Sequence, residues 1–326
     1  MPQYEFYHLD VFTDTPFGGN PLAVFPHADG LTTEQMQIIA REMNLSETTF
    51  VFDSTNDADF KVRIFTPTQE MRFAGHPVVG THWLLAHLGM VKLTEPVTTV
   101  TFDLPVGERS AQLYVENGRV KYVLMNHQKP EFYATASESQ ITQLAQGLGL
   151  HPSAILDTGL PVQVVSTGVR QLFVPVRSLK EMQSLDHKKQ EPAIINALCV
   201  ALDPVEKCTY LVMVFSTQTT REGVHVHARA FAPDLGIAEE PATGSANSGM
   251  GAYLVRHGVF SDFRNNKLTI ISEQGSEMGR PSNITIEVMG NADDIQMVRV
   301  GGSVVPLMQG TMTWEYLFTD EANFQS

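Results

Sequence analysis

The sequence is poor in cysteine, in basic side chains and in long apolar runs. Its 326 residues include two cysteines, Cys199 and Cys208, and no Cys-X-X-Cys pair. This argues against a disulfide framework or a cysteine-rich zinc site and predicts two buried or half-buried thiols. Lysine and arginine total 22 against 36 acidic residues, so a nucleic-acid surface is not expected. No apolar run approaches the ~20 residues of a membrane helix, and the first residues lack a signal-peptide pattern. We therefore expect a cytoplasmic protein with no nucleic-acid or membrane partner.

Several motifs of known chemistry are also missing. The chain has no Walker loop, no dinucleotide-binding glycine fingerprint and no nucleophile elbow, which leaves nucleotide hydrolysis, dinucleotide redox chemistry and α/β-hydrolase chemistry without support. Asp157-Thr-Gly159 imitates the aspartic-protease triplet, but no second copy supplies a carboxylate dyad. His225 and His227 would share one face of a strand, yet no third metal ligand accompanies them. We expect neither a metal nor a cofactor.

The composition and residue patterns of the sequence predict a globular protein of mixed helices and strands. Hydrophobic residues make up 43% and charged residues 18% of a chain long enough for two domains. Thr32 and Gln35 have capping-box spacing before an amphipathic helix, and Ser137 and Gln140 repeat that spacing. Strand patterns surround both helices, and Asn117-Gly118 predicts a tight hairpin. The predicted fold class is therefore α+β.

A weak internal repeat is the most informative pattern. Arg63-Ile-Phe-Thr-Pro67 resembles Arg229-Ala-Phe-Ala-Pro233, and a short loop then leads to helix starts at Ala74-Gly-His-Pro77 and Ala242-Thr-Gly-Ser245. Each helix is followed by a glycine, the residue that most easily adopts the left-handed backbone conformation common at helix ends. One five-residue match could arise by chance, but the matching helix lengths and ends favour duplication. The repeat predicts two pseudo-symmetric halves that share a cleft.

The predicted domain boundary follows residue 127. From His127 to Thr135 the periodicity is lost, and a capping box then opens a new helix. We expect an N-terminal domain over residues 1–127 and a C-terminal domain over residues 128–326. The C-terminal strand of the chain is allowed to return to the first domain.

The residues alone suggest an anion site and an acid or base. Helix starts at Gly75 and Gly244 expose unpaired N–H groups and the positive end of the helix dipole, although every helix has such a start. Glu47 precedes a strand that must enter a core, where burial would raise its pKa, but most glutamates at turns are solvated. His76 adjoins the first helix start, where the dipole favours the neutral imidazole; a histidine of the core or of the helix cap is the alternative.

Five ordered motifs resemble those of the phenazine-biosynthesis isomerase family (PhzF-like), which has the diaminopimelate-epimerase fold. They are Phe17-Gly-Gly-Asn-Pro21, Asn44-Leu-Ser-Glu47, Arg63-Ile-Phe-Thr-Pro67, Phe73-Ala-Gly-His-Pro77 and Glu240-Pro-Ala-Thr-Gly-Ser245. The resemblance runs from residue 4 to beyond residue 310. It implies two similar domains, each a β-barrel-like sheet wrapped around a central helix, with the active site in the cleft between them.

The resemblance also implies a chemistry. Characterised members are cofactor-independent isomerases that move a proton between carbons of a cyclic amino or hydroxy acid with one glutamate, which matches Glu47. His76 and Glu240 would assist the proton or hold the substrate. The predicted substrate-binding residues are Asn20, Gly75, Thr243, Gly244 and Ser245. Related epimerases carry a cysteine at each helix start, whereas this chain has Gly75 and Thr243 there, which excludes a two-thiol mechanism. The implied partners are a small carboxylated metabolite and a second copy in a homodimer.

One residue departs from the family pattern. The family's usual residue at position 240 is aspartate, and the extra methylene of Glu240 moves its carboxylate by roughly an ångström. This questions phenazine synthesis itself and leaves the substrate open. Two alternatives stand beside the enzyme: Glu240 as a solvated residue that caps a helix, and the whole chain as a non-catalytic protein that binds a small metabolite in the same cleft.

Overall fold

The computed structural model describes residues 3–232 and 237–313. The predicted α+β class is confirmed, and strands dominate. The helices are α1 (Thr33–Met43), α2 (Gly75–His87), α3 (Glu138–Leu148), α4 (Ser153–Leu156), α5 (Leu179–Ser184), α6 (Pro192–Leu202) and α7 (Gly244–Arg256). The strands are β1 (Gln3–Val11), β2 (Asn20–Phe25), β3 (Glu47–Asp53), β4 (Phe60–Phe65), β5 (Glu70–Met71), β6 (Val97–Leu104), β7 (Gly107–Glu116), β8 (Arg119–Asn126), β9 (Glu131–Thr135), β10 (Gln163–Ser166), β11 (Arg170–Pro175), β12 (Val212–Ser216), β13 (Val226–Ala232), β14 (Ile237–Glu240), β15 (Lys267–Gln274), β16 (Ser282–Gly290), β17 (Ile295–Gly302) and β18 (Val304–Thr313).

The sheet consists of two runs with the same pairing pattern. The first half runs in the order β18, β1, β2, β3, β4, β6, β7, β8. The second half runs β9, β10, β11, β12, β13, β15, β16, β17. In both halves the third and fifth pairings are parallel and the others antiparallel. Strands β8 and β17 join the halves, so the predicted pseudo-symmetry is confirmed.

The repeated sequence occupies equivalent places in the two halves. Arg63-Ile-Phe65 lies in β4 and Arg229-Ala-Phe-Ala232 in β13, and each strand carries a short extra partner, β5 or β14, before the central helix begins. Pro233 lies outside the described residues. The repeat in the sequence therefore marks the edge of each half that leads into its central helix.

The central helices α2 and α7 are buried along almost their whole length. Helix α2 packs on strands of the first half and α7 on strands of the second. Small residues allow the close approach: a Cβ at Gly80 would lie 2.6 Å from Leu22, and one at Gly251 would lie 2.4 Å from Ile286. Such distances are well inside van der Waals contact. Each half is therefore a barrel-like sheet wrapped around one helix.

Local sequence signals predicted the shorter elements well. Thr32 and Ser137 both form complete capping boxes at the starts of α1 and α3. Asn117 and Gly118 have positive φ angles of 54° and 70° in the hairpin between β7 and β8, as a two-residue hairpin turn requires. Both cysteine thiols are buried, as predicted.

Two features were weakly signalled by the sequence. The segment with no clear period contains a strand, β9, whose order comes from antiparallel pairing with β10. Strand β18 follows β17 in the chain but pairs with β1 of the first half, so the last described strand does return there. The division at residue 127 remains a prediction. Among the described residues, no helix is both long and apolar enough to cross a membrane.

Candidate active site

The two central helices begin almost in contact with each other. A Cβ added at Gly75 would lie 3.5 Å from the backbone nitrogen of Ser245 and 3.6 Å from the Cα of Gly244. Neither helix start is capped by the side chain of its N-cap residue, Ala74 or Thr243. Two positive dipole ends and their first-turn N–H groups therefore face the same small region, which favours a bound anion.

Glu47 and His76 approach each other beside this region. Glu47 is the first residue of β3, in parallel register with Leu22 of β2, and His76 lies in the first turn of α2. Their side chains are 14% and 3% exposed, and Glu47 Oε2 lies 3.4 Å from His76 Nε2. Both atoms are buried without a hydrogen-bond partner. Buried polar atoms in native folds are nearly always satisfied, so this pair is available to a ligand.

Asn20 connects the two halves at this point. Its Nδ2 donates to Ala242 O at 2.9 Å and to Glu240 Oε1 at 3.1 Å, and it lies 3.2 Å from His76 Nδ1. Its Oδ1 accepts a hydrogen bond from Ser46 Oγ. The two hydrogens of Nδ2 serve Ala242 O and Glu240 Oε1, and His76 Nδ1 lies against the same amide group, so Asn20 helps to orient the imidazole.

Glu240 is held by side chains rather than by the backbone of α7. Its Oε2 accepts from Thr243 Oγ1 at 2.7 Å, and its Oε1 accepts from Asn20 at 3.1 Å. Gln274 donates to Glu240 O at 2.7 Å and to Thr243 Oγ1 at 3.1 Å. The carboxylate is therefore fixed in the interface between the halves, which differs from the solvated helix cap considered as its alternative.

Burial sets the protonation of this cluster. It raises the pKa of Glu47, and the nearby Glu240 charge raises it further. Burial also raises the pKa of Glu240, although the hydrogen bonds from Thr243 and Asn20 oppose the rise. For His76, burial lowers the pKa to about 3. The site thus combines a neutral imidazole with two carboxyls that hold protons more tightly than usual, as general acid/base chemistry near neutral pH requires.

The predicted residues are close together, and the sequence missed several that support them. Asn20, Glu47, His76, Glu240 and Thr243 form one contact network, and Gly75, Gly244 and Ser245 adjoin it at the helix starts. The residues not predicted are Ser46, Gln171, Asn247 and Gln274. Ser46 and Asn247 adjoin or lie within the quoted motif regions, which was an available signal. Gln171 and Gln274 are polar residues in buried strands, where only tertiary structure shows what they bind.

A cavity of about 680 Å³ opens between the halves and reaches the site at Ser245. Its walls include Arg72 and Phe73 before α2, Arg109 of β7 and His127 after β8. Its lining includes Ser245 but not Glu47, His76 or Glu240. Ser245 is therefore reached from the cleft, and the Glu47 side chain lies deeper, with 14% of its surface exposed.

The two strand histidines do not converge on a common point. His225 Nδ1 accepts the N–H of Ile271, whereas His227 is bound on both ring nitrogens, at 2.8 Å by Glu273 and at 2.9 Å by Glu277. These carboxylates raise the pKa of His227 to about 9 against the effect of its burial. No group of three or more histidine, cysteine or acidic residues in ranges 3–232 and 237–313 has a geometry suited to a metal ion.

Comparisons with known proteins agree over nearly the whole chain. The family described as phenazine biosynthesis-like protein (PhzC-PhzF) matches residues 9–310. An uncharacterized isomerase of Clostridium acetobutylicum is 31% identical over 95% of this chain and 98% of its own length. The trans-2,3-dihydro-3-hydroxyanthranilate isomerase of Pseudomonas chlororaphis is 34% identical over 93% of this chain and 97% of its own.

Solved structures show the same architecture. The phenazine biosynthesis protein of the PhzF family from Bacillus anthracis superposes with a TM-score of 0.82 at 28% identity, and the match covers 96% of this chain and 100% of that one. The fold is thus of the diaminopimelate-epimerase type. The chain is an isomerase that belongs to the phenazine biosynthesis-like PhzC-PhzF family.

Proposed function

We propose that this isomerase moves a proton between two carbons of a small cyclic or amino-acid-like carboxylate, with Glu47 as the general acid and base. The observation that carries the proposal is the unpartnered Glu47–His76 pair, 3.4 Å apart and buried beside two helix starts that lack side-chain caps. An anion at the helix starts would hold the substrate carboxylate, and Glu47 would face the carbon skeleton.

The proposed reaction needs no external electrons. The ionised Glu47 carboxylate takes a proton from one carbon, and the electron pair of that C–H bond shifts into the conjugated skeleton. The same carboxyl then returns the proton to a second carbon, where a new C–H bond forms. His76 Nε2 lies 3.4 Å from Glu47 Oε2, so an imidazole with its proton on Nε2 would stabilise the carboxylate form during the transfer. The mechanism therefore requires no cofactor or metal.

The substrate class is proposed from the site and from the relatives together. The Pseudomonas chlororaphis relative is named for trans-2,3-dihydro-3-hydroxyanthranilate, a cyclic amino acid with a hydroxyl group. Glu240 would accept from the amine or hydroxyl of such a ring, on the side of the cluster opposite its contact with Thr243. We also propose a cytoplasmic homodimer, which sedimentation of the purified protein would test.

Heavy water distinguishes this enzyme from a protein that only binds the metabolite. Trans-2,3-dihydro-3-hydroxyanthranilate is incubated with the purified chain in D₂O, and the acid is analysed by NMR and mass spectrometry. The expected result is an isomerised product with deuterium at the carbon that gains the proton. A tight complex with no isomerisation and no exchange would contradict the proposal. A panel of other cyclic amino and hydroxy acids tests whether Glu240 has changed the substrate.

A further inference from the structure

A loop of the second half contacts the chain neighbours of both Asn20 and Glu240, the two residues that are hydrogen-bonded across the halves. Residues 275–281 connect β15 to β16, which begins at Ser282, in the second half. Arg280 of this loop donates through Nε to Gly19 O at 2.8 Å and through Nη2 to Gly18 O at 2.6 Å. Gly18 and Gly19 immediately precede Asn20. The guanidinium of the second half therefore binds the segment of the first half that leads into β2.

The buried carboxylate of Asp10 also binds Arg280. Arg280 Nη2 forms an ion pair with Asp10 Oδ1, and the Asp10 side chain is fully buried while that of Arg280 is 28% exposed. The other oxygen of Asp10 accepts the N–H of Phe17 at 2.7 Å. The backbone adds a further link between Gly19 N and Pro281 O at 3.1 Å. Charge-assisted hydrogen bonds of a planar guanidinium are strong and directional, so the segment that leads into Asn20 and β2 is fixed in place.

The same loop also holds the neighbour of Glu240. Ser282 Oγ donates to Pro241 O at 2.9 Å. A Cβ at Gly275 would lie 2.5 Å from both Pro241 O and Arg280 O. The two backbone segments are therefore too close for any side chain at this position. Arg280 N in turn donates to Gly275 O at 3.0 Å. One compact loop therefore sets the position of Pro241 on one side and of Gly18-Gly19 on the other.

We infer that Arg280 is a positioning residue for the isomerase reaction, because it fixes Asn20 and Glu240 relative to each other across the cleft. This inference rests on the proposed function, in which Asn20 orients His76 and Glu240 faces the substrate. Arg280 itself touches none of the reacting groups in the described contacts. A misplacement of about 1 Å in a catalytic cluster can cost on the order of 100-fold in rate.

The test replaces the guanidinium but keeps its charge. Arg280→Lys removes the planar group that binds Gly18 O and Gly19 O together. Asp10→Asn removes the ion pair and leaves an oxygen that accepts the N–H of Phe17. This second variant serves where the first fails to fold. The matched control is Arg177→Lys, because Arg177 forms side-chain hydrogen bonds with Asp157 and Glu181 on the surface of the second half, away from the cleft. Steady-state kinetics use trans-2,3-dihydro-3-hydroxyanthranilate, and amide hydrogen exchange is measured by mass spectrometry on the same proteins.

The expected result is a fall in kcat of about 10-fold to 100-fold with KM within about threefold of the parent. Amide hydrogen exchange should become faster at residues 240–246, across the contact from Gly18 and Gly19, while Arg177→Lys leaves both readouts unchanged. Parental kcat in both variants, or a lower kcat with unchanged exchange at residues 240–246, would overturn the inference. Where the parent protein turns over no tested acid, faster exchange still supports the positioning role and the failure belongs to the proposed function.

Discussion

The uncharged side chain of Asn20 contacts residues of both halves of the molecule. Its amide nitrogen contacts Ala242, Glu240 and His76, so it joins the first half of the molecule to the second and helps to orient the imidazole. Its oxygen accepts a hydrogen bond from Ser46. The family resemblance predicted Asn20 as a substrate-binding residue, and the structure adds this orienting role.

Glu240 is the residue at which the family pattern and the structure can be tested together. Glu240→Asp withdraws the carboxylate by about 1 Å from Asn20 and Thr243, which now bind it at 3.1 Å and 2.7 Å. We expect kcat/KM on an accepted substrate to fall by about 10-fold to 100-fold, and Glu240→Ala to fall further. The exposed Glu116→Asp is the control. Unchanged kinetics in both Glu240 variants would mean that the carboxylate has only a structural role.

The sequence could predict residues that lie within motifs but not those that act through tertiary contact. Glu47, His76 and Thr243 belong to short segments with recognisable neighbours. Gln274 ends an ordinary strand, and nothing near it in sequence shows that its amide binds Glu240 and Thr243. Arg280 lies 261 residues from the carbonyl of Gly19 that it binds. Such contacts depend on how the halves meet, which local pattern does not encode.

At the scale of elements, α2 and α7 begin side by side, and we predict that their starts bind the substrate carboxylate. Gly75→Ala tests it, because a Cβ there lies 3.5 Å from Ser245 N, an ordinary contact that preserves packing while filling the space between the helix starts. We expect the variant to keep the parental melting temperature within a few degrees and to bind 3-hydroxyanthranilate at least about 10-fold more weakly in calorimetry. Parental affinity would show that the carboxylate binds elsewhere.

Elements with strong local signals were predicted, whereas β9, which depends on pairing with β10, was not. Helices α1 and α3 carry complete capping boxes, and the hairpin of β7 and β8 has the turn residues it needs. Strand β9 has no such signal, since its residues alternate poorly between buried and exposed positions and depend on β10. Local propensity therefore decides where the chain can turn, while the sheet decides which extended segments become strands.

At the scale of the whole molecule, the duplication explains why the site lies where it does. Each half supplies one central helix, and the repeat makes the two helices meet start to start. The halves are not identical in sequence: Glu47 and His76 come from the first and Glu240 from the second. A pseudo-symmetric fold thus carries an asymmetric set of acidic residues where its two halves meet.

The second half also contains an ion cluster that should make stability depend on pH. Glu273 and Glu277 raise the pKa of His227 to about 9 in the folded protein, above the ordinary value of 6.5. The imidazolium therefore stabilises the fold fully below pH 6.5, and this contribution disappears as the pH rises through 9. We expect the free energy of unfolding to fall by up to about 3 kcal/mol over that range.

Denaturant unfolding at a series of pH values checks this dependence. His227→Gln should lower stability at pH 6 and flatten the decline between pH 6.5 and 9. The exposed His187→Gln should retain the parental profile. A parental profile that does not change between pH 6.5 and 9 would mean that His227 is not charged in the folded state.

The central claim is that the Glu47 carboxyl carries the proton, and a deuterium label follows it most directly. Substrate labelled with deuterium at the carbon that loses its proton is turned over once by excess enzyme in ordinary water, and NMR locates the label in the product. Because one carboxyl both removes and returns the proton, and Glu47 is only 14% exposed, we predict partial transfer of deuterium to the second carbon and partial exchange with water. Glu47→Gln should slow turnover by about 10²-fold to 10⁴-fold, while Glu116→Gln behaves as the parent. Parental turnover and label transfer in Glu47→Gln would contradict the account.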